Sequence, residues 1–350
     1  MKLCKIDDLV GTEKLARPIM TSNYQELLAI GTILKPEYVE KIKQLGIDEV
    51  FIEDKRLEPK QVAILKEDVE DLFKEKVRSV LERHVYNDSS ELEELASTAD
   101  KIITEILDNE EVLTQIYDIM ERSADIYEHS ISVCSISTLV ALKLKLDRAD
   151  VHDLAVASIF HDIGLRYFDF NYSNINVEEM GNHEKEEYLK HPAYGYSAIE
   201  KAGWLSENAK EIIFEHHERL DGTGYPLKKT KFSLSSKILQ AAEAFDEMIC
   251  GIGFRRARVY EAVEYLKVSS RVKFDEEVVA ALLEFTAVYP AGTICMLNTG
   301  ELGVVISQNK GFPERPVLRL VKGKDGEQIL DEITCDLIEV HNVYIEKVIM

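Results

Sequence analysis

The chain has no paired-cysteine motif, no long apolar run and little positive charge, and each lack removes a class of function. Its five cysteines, Cys4, Cys134, Cys250, Cys295 and Cys335, are odd in number and widely spaced, with no Cys-x-x-Cys pair. That excludes a disulfide framework and a zinc ribbon, and it fits a reducing, cytoplasmic compartment. No apolar run approaches the length of a bilayer-spanning helix. Met1 to Asp7 carries no apolar signal-peptide core, so neither direct membrane insertion nor export is expected. Lys and Arg number 42 against 64 Asp and Glu, a net charge of -22 with a pI near 4.9. Such a chain does not bind nucleic acid or anionic membrane non-specifically. An anionic substrate has to be drawn in by local positive charge, such as a metal cluster.

What is present is an ordinary globular composition, 45% hydrophobic and 30% charged over 350 residues, enough for two or three domains. Residues 1–90 read as a small α/β region. Leu27 to Leu34 suggests short strands around a Gly turn. Pro36 opens a helix through Gln44, Gly46 stops it, and Glu49 to Ile52 reads as a strand. Pro59 to Val85 is helical in period, Asn87-Asp88 breaks it, and Ser90 is placed to cap the next helix. From about 100 to 288 almost everything reads as helix, with apolar residues recurring at three and four positions. Ile131 to Leu144 is a core helix by this reading. The loop from Phe168 to Glu179 interrupts the pattern. After Tyr289-Pro290, residues 289–350 carry short β-like runs at Thr293 to Leu297, Gly303 to Ser307 and Val317 to Val321, separated by Gly-containing turns. The expected fold class is therefore mainly α, a helical bundle with a small α/β N-terminal domain and a short β-rich C-terminal appendage.

Nine histidines are present, and five fall in the helical region: His129, His161, His191, His216 and His217. An apolar run, Leu154 to Phe160, ends in His161-Asp162-Ile163-Gly164. Polar side chains at the end of a buried helix are costly unless paired or bound to metal. Imidazole and carboxylate suit Fe, Mn and Zn. Adjacent His and Asp reach two neighbouring ions more readily than one, and a dinuclear site suits phosphoester hydrolysis. His84, His152, His183 and His341 read instead as satisfied core residues.

The run His216-His217-Glu218-Arg219-Leu220-Asp221-Gly222-Thr223-Gly224-Tyr225-Pro226 resembles the signature of the HD-GYP phosphodiesterases. His161-Asp162-Ile163-Gly164 resembles the HD half of that signature, and Lys190-His191-Pro192 its intervening histidine. His129, in Tyr127-Glu128-His129-Ser130, matches the first histidine, and Ile238 to Asp246 the last metal helix. The resemblance covers roughly 110–288. It implies an all-helical HD fold and two or three divalent transition-metal ions, iron or manganese foremost. It implies hydrolysis of cyclic di-GMP to a linear dinucleotide or GMP. By position the implied ligands are His129, His161, Asp162, His191, His216, His217 and Glu243, the last standing where the family has Asp. Asp125 stands one turn before His129, where trinuclear members carry a Glu. His161 and Asp162 are the implied catalytic pair, with Asp162 bridging two ions that activate a shared water. Gly224 and Tyr225 are implied in substrate binding, and Arg219 and Asp221 in bracing their loop.

Two positions depart from the family. Leu165 stands where a Lys faces a substrate phosphate, and Ile252 where the first Arg of an Arg-Pro-x-Arg element stands. Arg255, Arg256 and Arg258 form the densest basic cluster of the chain. On a helix, Arg255 and Arg258 would share a face and could replace the missing phosphate contacts. By the same logic Leu165→Lys should restore a contact. Expected partners are cyclic di-GMP, a protein docked through the N-terminal region and a second copy of the chain. Two alternatives stand beside hydrolysis of cyclic di-GMP. One is a weakly active sensor of that nucleotide or of metal and redox state. The other is a hydrolase of another cyclic dinucleotide.

Overall fold

Pro36 fixes its own backbone angle and needs no amide hydrogen bond, so it starts a helix at low cost. Helix α1 runs Pro36–Gln44. It joins strands β1 (Lys2–Lys5), β2 (Ile19–Met20), β3 (Glu26–Leu28) and β4 (Glu49–Ile52). Strands β1 and β4 pair antiparallel with Lys2 opposite Ile52, and β2 pairs with β3. Ile6, Leu15, Leu34, Ile42 and Val50 close a small core between them. The structure, a computed structural model, describes the chain except residues 1, 7, 8, 10, 17, 21–25, 46, 48, 54–60, 84–88, 110, 123, 330 and 350. Gly46, His84, the Asn87-Asp88 break and both ends of the run from Pro59 to Val85 therefore lie outside the described residues.

Two compact units emerge. One combines residues 1–61 with 289–350, and the other is 62–288. In the first, β5 (Ile294–Leu297), β6 (Leu302–Asn309), β7 (Phe312–Lys322), β8 (Thr334–Asp336) and β9 (Ile345–Val348) form an antiparallel sheet in the order β8-β7-β6-β5-β9. Gly300 and Gly311, both at positive φ, make the first two turns, a conformation glycine adopts without strain. Ala16 of the N-terminal segment packs on Ile294, Val304 and Val321 of this sheet.

The second unit is helical: α2 (Glu67–Arg83), α3 (Ser89–Leu107), α4 (Ile126–Lys143), α5 (Arg148–Phe160), α6 (Asn182–Tyr188), α7 (His191–Ile199), α8 (Glu207–Glu215), α9 (Leu234–Cys250), α10 (Val259–Ser269) and α11 (Glu276–Glu284). Ser90 falls inside α3 rather than before it, so it is not the cap expected from sequence. Asp125, Asp147, Ser206, Ser233 and Asp275 cap α4, α5, α8, α9 and α11 with their side chains, as short polar residues do at free helix amides. Helices α4 and α5 are buried on nearly every face, the pattern of central helices, and α4 packs on both α5 and α9.

Candidate metal centre

The ends of these helices deliver the polar residues. His129 lies in the first turn of α4, and His161 follows the last residue of α5 with Asp162 behind it. His191 opens α7, His216 and His217 follow α8, and Glu243 sits in mid-α9. All seven are buried, none more than 4% exposed.

Hydrogen bonds settle the histidine tautomers. His161 Nδ1 lies 2.7 Å from the Ser158 carbonyl, His191 Nδ1 2.8 Å from that of Tyr188, and His216 Nδ1 2.6 Å from that of Ile213. A carbonyl only accepts, so each Nδ1 carries the proton and each Nε2 of the neutral ring is a lone pair. His129 Nδ1 donates in the same way to the Asp246 carboxylate at 2.6 Å. The lone pairs then point at one another: His129 and His161 Nε2 are 3.2 Å apart, and His191 and His216 Nε2 3.0 Å. Carboxylates add to the negative side. Glu243 Oε2 is 3.0 Å from His129 Nε2 and 2.7 Å from His161 Nε2. Asp162 turns Oδ2 toward His129 and His161, each at 3.5 Å, and Oδ1 toward His191 at 3.3 Å and His216 at 3.6 Å. Both Asp162 oxygens, Glu243 Oε2 and His217 Nε2 are buried without a hydrogen-bond partner.

Converging lone pairs and unpartnered carboxylate oxygens are what a cation requires. Two four-residue sets among the described residues have ligand atoms within 4.8 Å of one another: Asp162 with His191, His216 and His217, and Asp162 with His129, His161 and Glu243. The donor set fits two divalent transition ions sharing Asp162. Outer hydrogen bonds from ring N–H to carbonyl or carboxylate are the usual support of metal-binding histidines. Burial drives His216 down to about 4 and His217 well below the usual imidazole range, with neighbouring imidazoles reinforcing it. Burial also opposes the charged forms of His129 and His161, but Glu243 holds both up.

Close backbone packing holds the frame. A Cβ on Gly164 would lie 2.1 Å from the His191 carbonyl, and one on Gly224 2.4 Å from the Glu218 Cα. Tyr225 stacks on His217 with ring centroids 4.6 Å apart and planes at 13°. Arg219 donates to the carbonyls of His216 and Glu218, and Asp221 accepts from Thr223, so both brace the loop.

Other expected residues lie elsewhere. Asp125 caps α4 and pairs with Arg78 at 2.7 Å and Lys74 at 3.4 Å, and it belongs to none of the potential metal groups among the described residues. Arg255 and Arg258 share no helix face, because 251–258 is a loop. Arg255 pairs with Glu179, and Arg258, which precedes α10, lies 4.0 Å from Glu121. Leu165 and Ile252 are both buried in an apolar cluster with Met180, Tyr188 and Cys250, covered by Phe168, Phe170 and Tyr172. His183 and His341 are exposed and His152 is half-buried, so none of the three is a core residue.

Sequence reasoning missed one face of α9. Asp246, Glu247 and Cys250 follow Glu243 by three, four and seven positions. Asp246 orients His129, accepts from Ser132 at 2.7 Å and pairs with half-buried Arg122. Glu247 Oε1 lies 3.7 Å from His217 Nε2. Burial, with the charges of Glu243 and Asp162, pushes the Glu247 carboxyl well up. The helical spacing of these polar residues in an otherwise apolar helix was the available signal.

Comparisons with known proteins agree with this geometry. A family model described as HD domain matches residues 88–278, and one described as KOW domain associated with HD domain matches 294–350. A cyclic di-GMP phosphodiesterase of Pseudomonas aeruginosa is 25% identical over 60% of this chain and 51% of its own length. A 3′3′-cGAMP-specific phosphodiesterase of Vibrio cholerae is 29% identical over 44% of this chain and 34% of its own. The chain spans about half the length of the curated relatives it matches. The solved structure of Bd1817, a HDG"Y"P protein from Bdellovibrio bacteriovorus, superposes with a TM-score of 0.51 at 17% identity, covering 80% of this chain and 97% of that one, which is a likeness of fold. With more than half of its length matched and the full histidine motif in place, the chain belongs to the HD domain family, as a member of its HD-GYP type.

Proposed function

We propose that the chain is a metal-dependent phosphodiesterase of cyclic dinucleotides, with cyclic di-GMP as first candidate and a linear dinucleotide or GMP as product. The observation that carries this reading is the facing of imidazole lone pairs across the two oxygens of Asp162. Relatives named for hydrolysis of cyclic di-GMP or 3′3′-cGAMP support the substrate class. Bound there, two ions of the iron or manganese type would polarise water and take up charge on phosphate oxygens. His129, His161 and Glu243 would hold one ion, and His191, His216 and His217 the other. Asp162 would be shared by both, its charge kept against burial by His161, His191 and His216. Tyr225, backed by the His217 ring, offers an aromatic face to a base, and Arg255 and Arg258 offer guanidinium groups to a phosphate. The potential metal groups among the described residues all lie between 129 and 250. That supports a regulatory role for residues 1–90, with partner proteins or a second copy docking outside the site. Among the described residues no helix is long and apolar enough to cross a membrane, consistent with a cytoplasmic enzyme. Turnover of a panel of cyclic dinucleotides by the metal-loaded chain, with metal content measured in parallel, tests the reading. Two bound ions with no turnover of any member would overturn it.

A second reading is favoured by Leu165 and Ile252. Both are buried in apolar packing, so neither offers a cation to a phosphate. On that reading the domain binds the nucleotide, or senses metal and redox state, with little hydrolysis. Tight nucleotide binding without turnover in the same panel would select it.

A further inference from the structure

Helix α9 carries a third acid toward the centre. Glu247 lies one turn beyond Glu243 and is buried. Its Oε1 is 3.7 Å from His217 Nε2, a nitrogen without a hydrogen-bond partner. Ligand atoms of His217, Glu243 and Glu247 come within 4.8 Å of one another. Among the described residues no Lys or Arg forms an ion pair with Glu247. The nearby Arg219 guanidinium is engaged with the carbonyls of His216 and Glu218. A buried carboxylate requires a positive partner, and the imidazole beside it, His217, belongs to the ligand set of the second ion.

We propose that Glu247 is itself a metal ligand: its carboxylate, grouped with His217 and Glu243 and outside the set of Asp162, His191 and His216, would turn toward the second ion beside His217. This inference rests on the dinuclear reading and deepens it. A shell of three imidazoles and one carboxylate satisfies a tetrahedral ion such as zinc. A further carboxylate raises the count to five and adds a hard oxygen, which favours manganese or iron over zinc. The two ions would then differ: His129, His161, Asp162 and Glu243 would offer the first two imidazoles and two carboxylates, and His191, His216, His217, Asp162 and Glu247 would offer the second three imidazoles and two carboxylates.

The test is metal binding, with turnover as a separate readout. Mn2+ and Zn2+ are titrated against a chromophoric chelator for the full chain, Glu247→Ala and Glu247→Gln. Stoichiometry is read by elemental analysis, and coordination number by X-ray absorption on the manganese-loaded protein. Expected is loss of one of two Mn2+ ions, or an affinity at least about 10-fold weaker at one site. Zn2+ should be affected less, and the average number of manganese ligands should fall. Glu247→Gln keeps the shape of the side chain, so a defect in both variants with unchanged helical content is a ligand effect rather than misfolding. Two Mn2+ ions bound with wild-type affinity in both variants would overturn the role of Glu247 and leave the dinuclear reading standing. Fewer than two ions in the unaltered chain would overturn both. Failure of the unaltered chain to hydrolyse any cyclic dinucleotide while holding two ions strikes only the proposed activity.

Discussion

Two neighbouring clusters in the helical unit are built from the same chain segments and solve opposite problems. The turn after α5 sends Asp162 to the histidine cluster and Leu165 to the apolar one. The junction of α6 and α7 contributes His191 to the first and Tyr188 to the second. Helix α9 places Glu243 and Glu247 in the first, and Cys250 in the second, with Ile252 just beyond. The apolar cluster is self-sufficient, since burying each large side chain contributes roughly 1.5–3 kcal/mol. The histidine cluster is not, because its lone pairs and carboxylates oppose one another until a cation joins them. Only Ile163 and Gly164 separate Asp162 from Leu165, so one short stretch of backbone serves both clusters while its side chains divide between them.

The harshest way to break the comparison is His161→Ala with Asp162→Ala. It removes one ligand of the first ion and the link between both. Metal content should fall from two ions to one or none, and hydrolysis should vanish, while circular dichroism stays helical because the apolar cluster is untouched. Wild-type turnover in this variant would place the site elsewhere. Removal of metal by a chelator is the milder form of the same test. A ligand present at 100 times its dissociation constant stabilises by about 2.7 kcal/mol, and for a unit of this size that is about 5–10 °C in Tm. A Tm indifferent to chelator would mean that the cluster is held together by protons.

Leu165→Lys attacks the other side. From the sequence alone it should restore a phosphate contact. The structure reverses that expectation, because Leu165 is 1% exposed among Met180, Tyr188 and Ile252. A lysine there loses apolar burial and must desolvate its charge, so about 2 kcal/mol of stability should be lost. Denaturant melts measure it, and a variant as stable as the parent with faster turnover would show that the pocket opens to admit the cation.

The legible part of the molecule was whatever announces itself locally. Pro36 marked the start of α1 because proline suits a first helical position, and the strand from Glu49 to Ile52 was readable from its residues. The histidines were readable because buried polar residues at the ends of apolar helices need a reason. What was not legible depended on contacts distant in sequence. The carboxyl of Asp125 is spent on capping α4 and on two cations of α2, which spacing from His129 could not reveal. Residues 1–61 pack with 289–350, and no local pattern signals such a pairing. The loop over 251–258 defeats any helical-face argument. Its Gly251 amide and carbonyl are used to end α9 and to receive Asn174.

That loop carries the finest contrast, between two adjacent arginines. Its backbone is zipped to the aromatic-rich segment before α6: Asn174 N donates to the Gly251 carbonyl at 2.6 Å, and Val177 N to that of Gly253 at 3.0 Å. The Arg256 amide donates to Asn174 Oδ1 at 2.8 Å, and its guanidinium to the Arg122 carbonyl at 3.2 Å. Arg122 in turn pairs with Asp246, the carboxylate that orients His129. Arg256 is therefore an anchor, whereas the Arg255 guanidinium is largely exposed and, among the described residues, pairs with Glu179. An exposed pair of that kind contributes about 0–1 kcal/mol. Arg255→Ala should leave Tm nearly unchanged. If the guanidinium meets a substrate phosphate, losing one charge-assisted hydrogen bond of about 1.5 kcal/mol raises KM about tenfold. Arg256→Ala should do the reverse, lowering stability by about 1 kcal/mol with little effect on KM. Steady-state kinetics and thermal melts on both single variants decide it. The expected result is a crossed pattern, and equal small effects on both measurements would reduce the pair to a solvated surface, leaving the phosphates to the metals and the backbone.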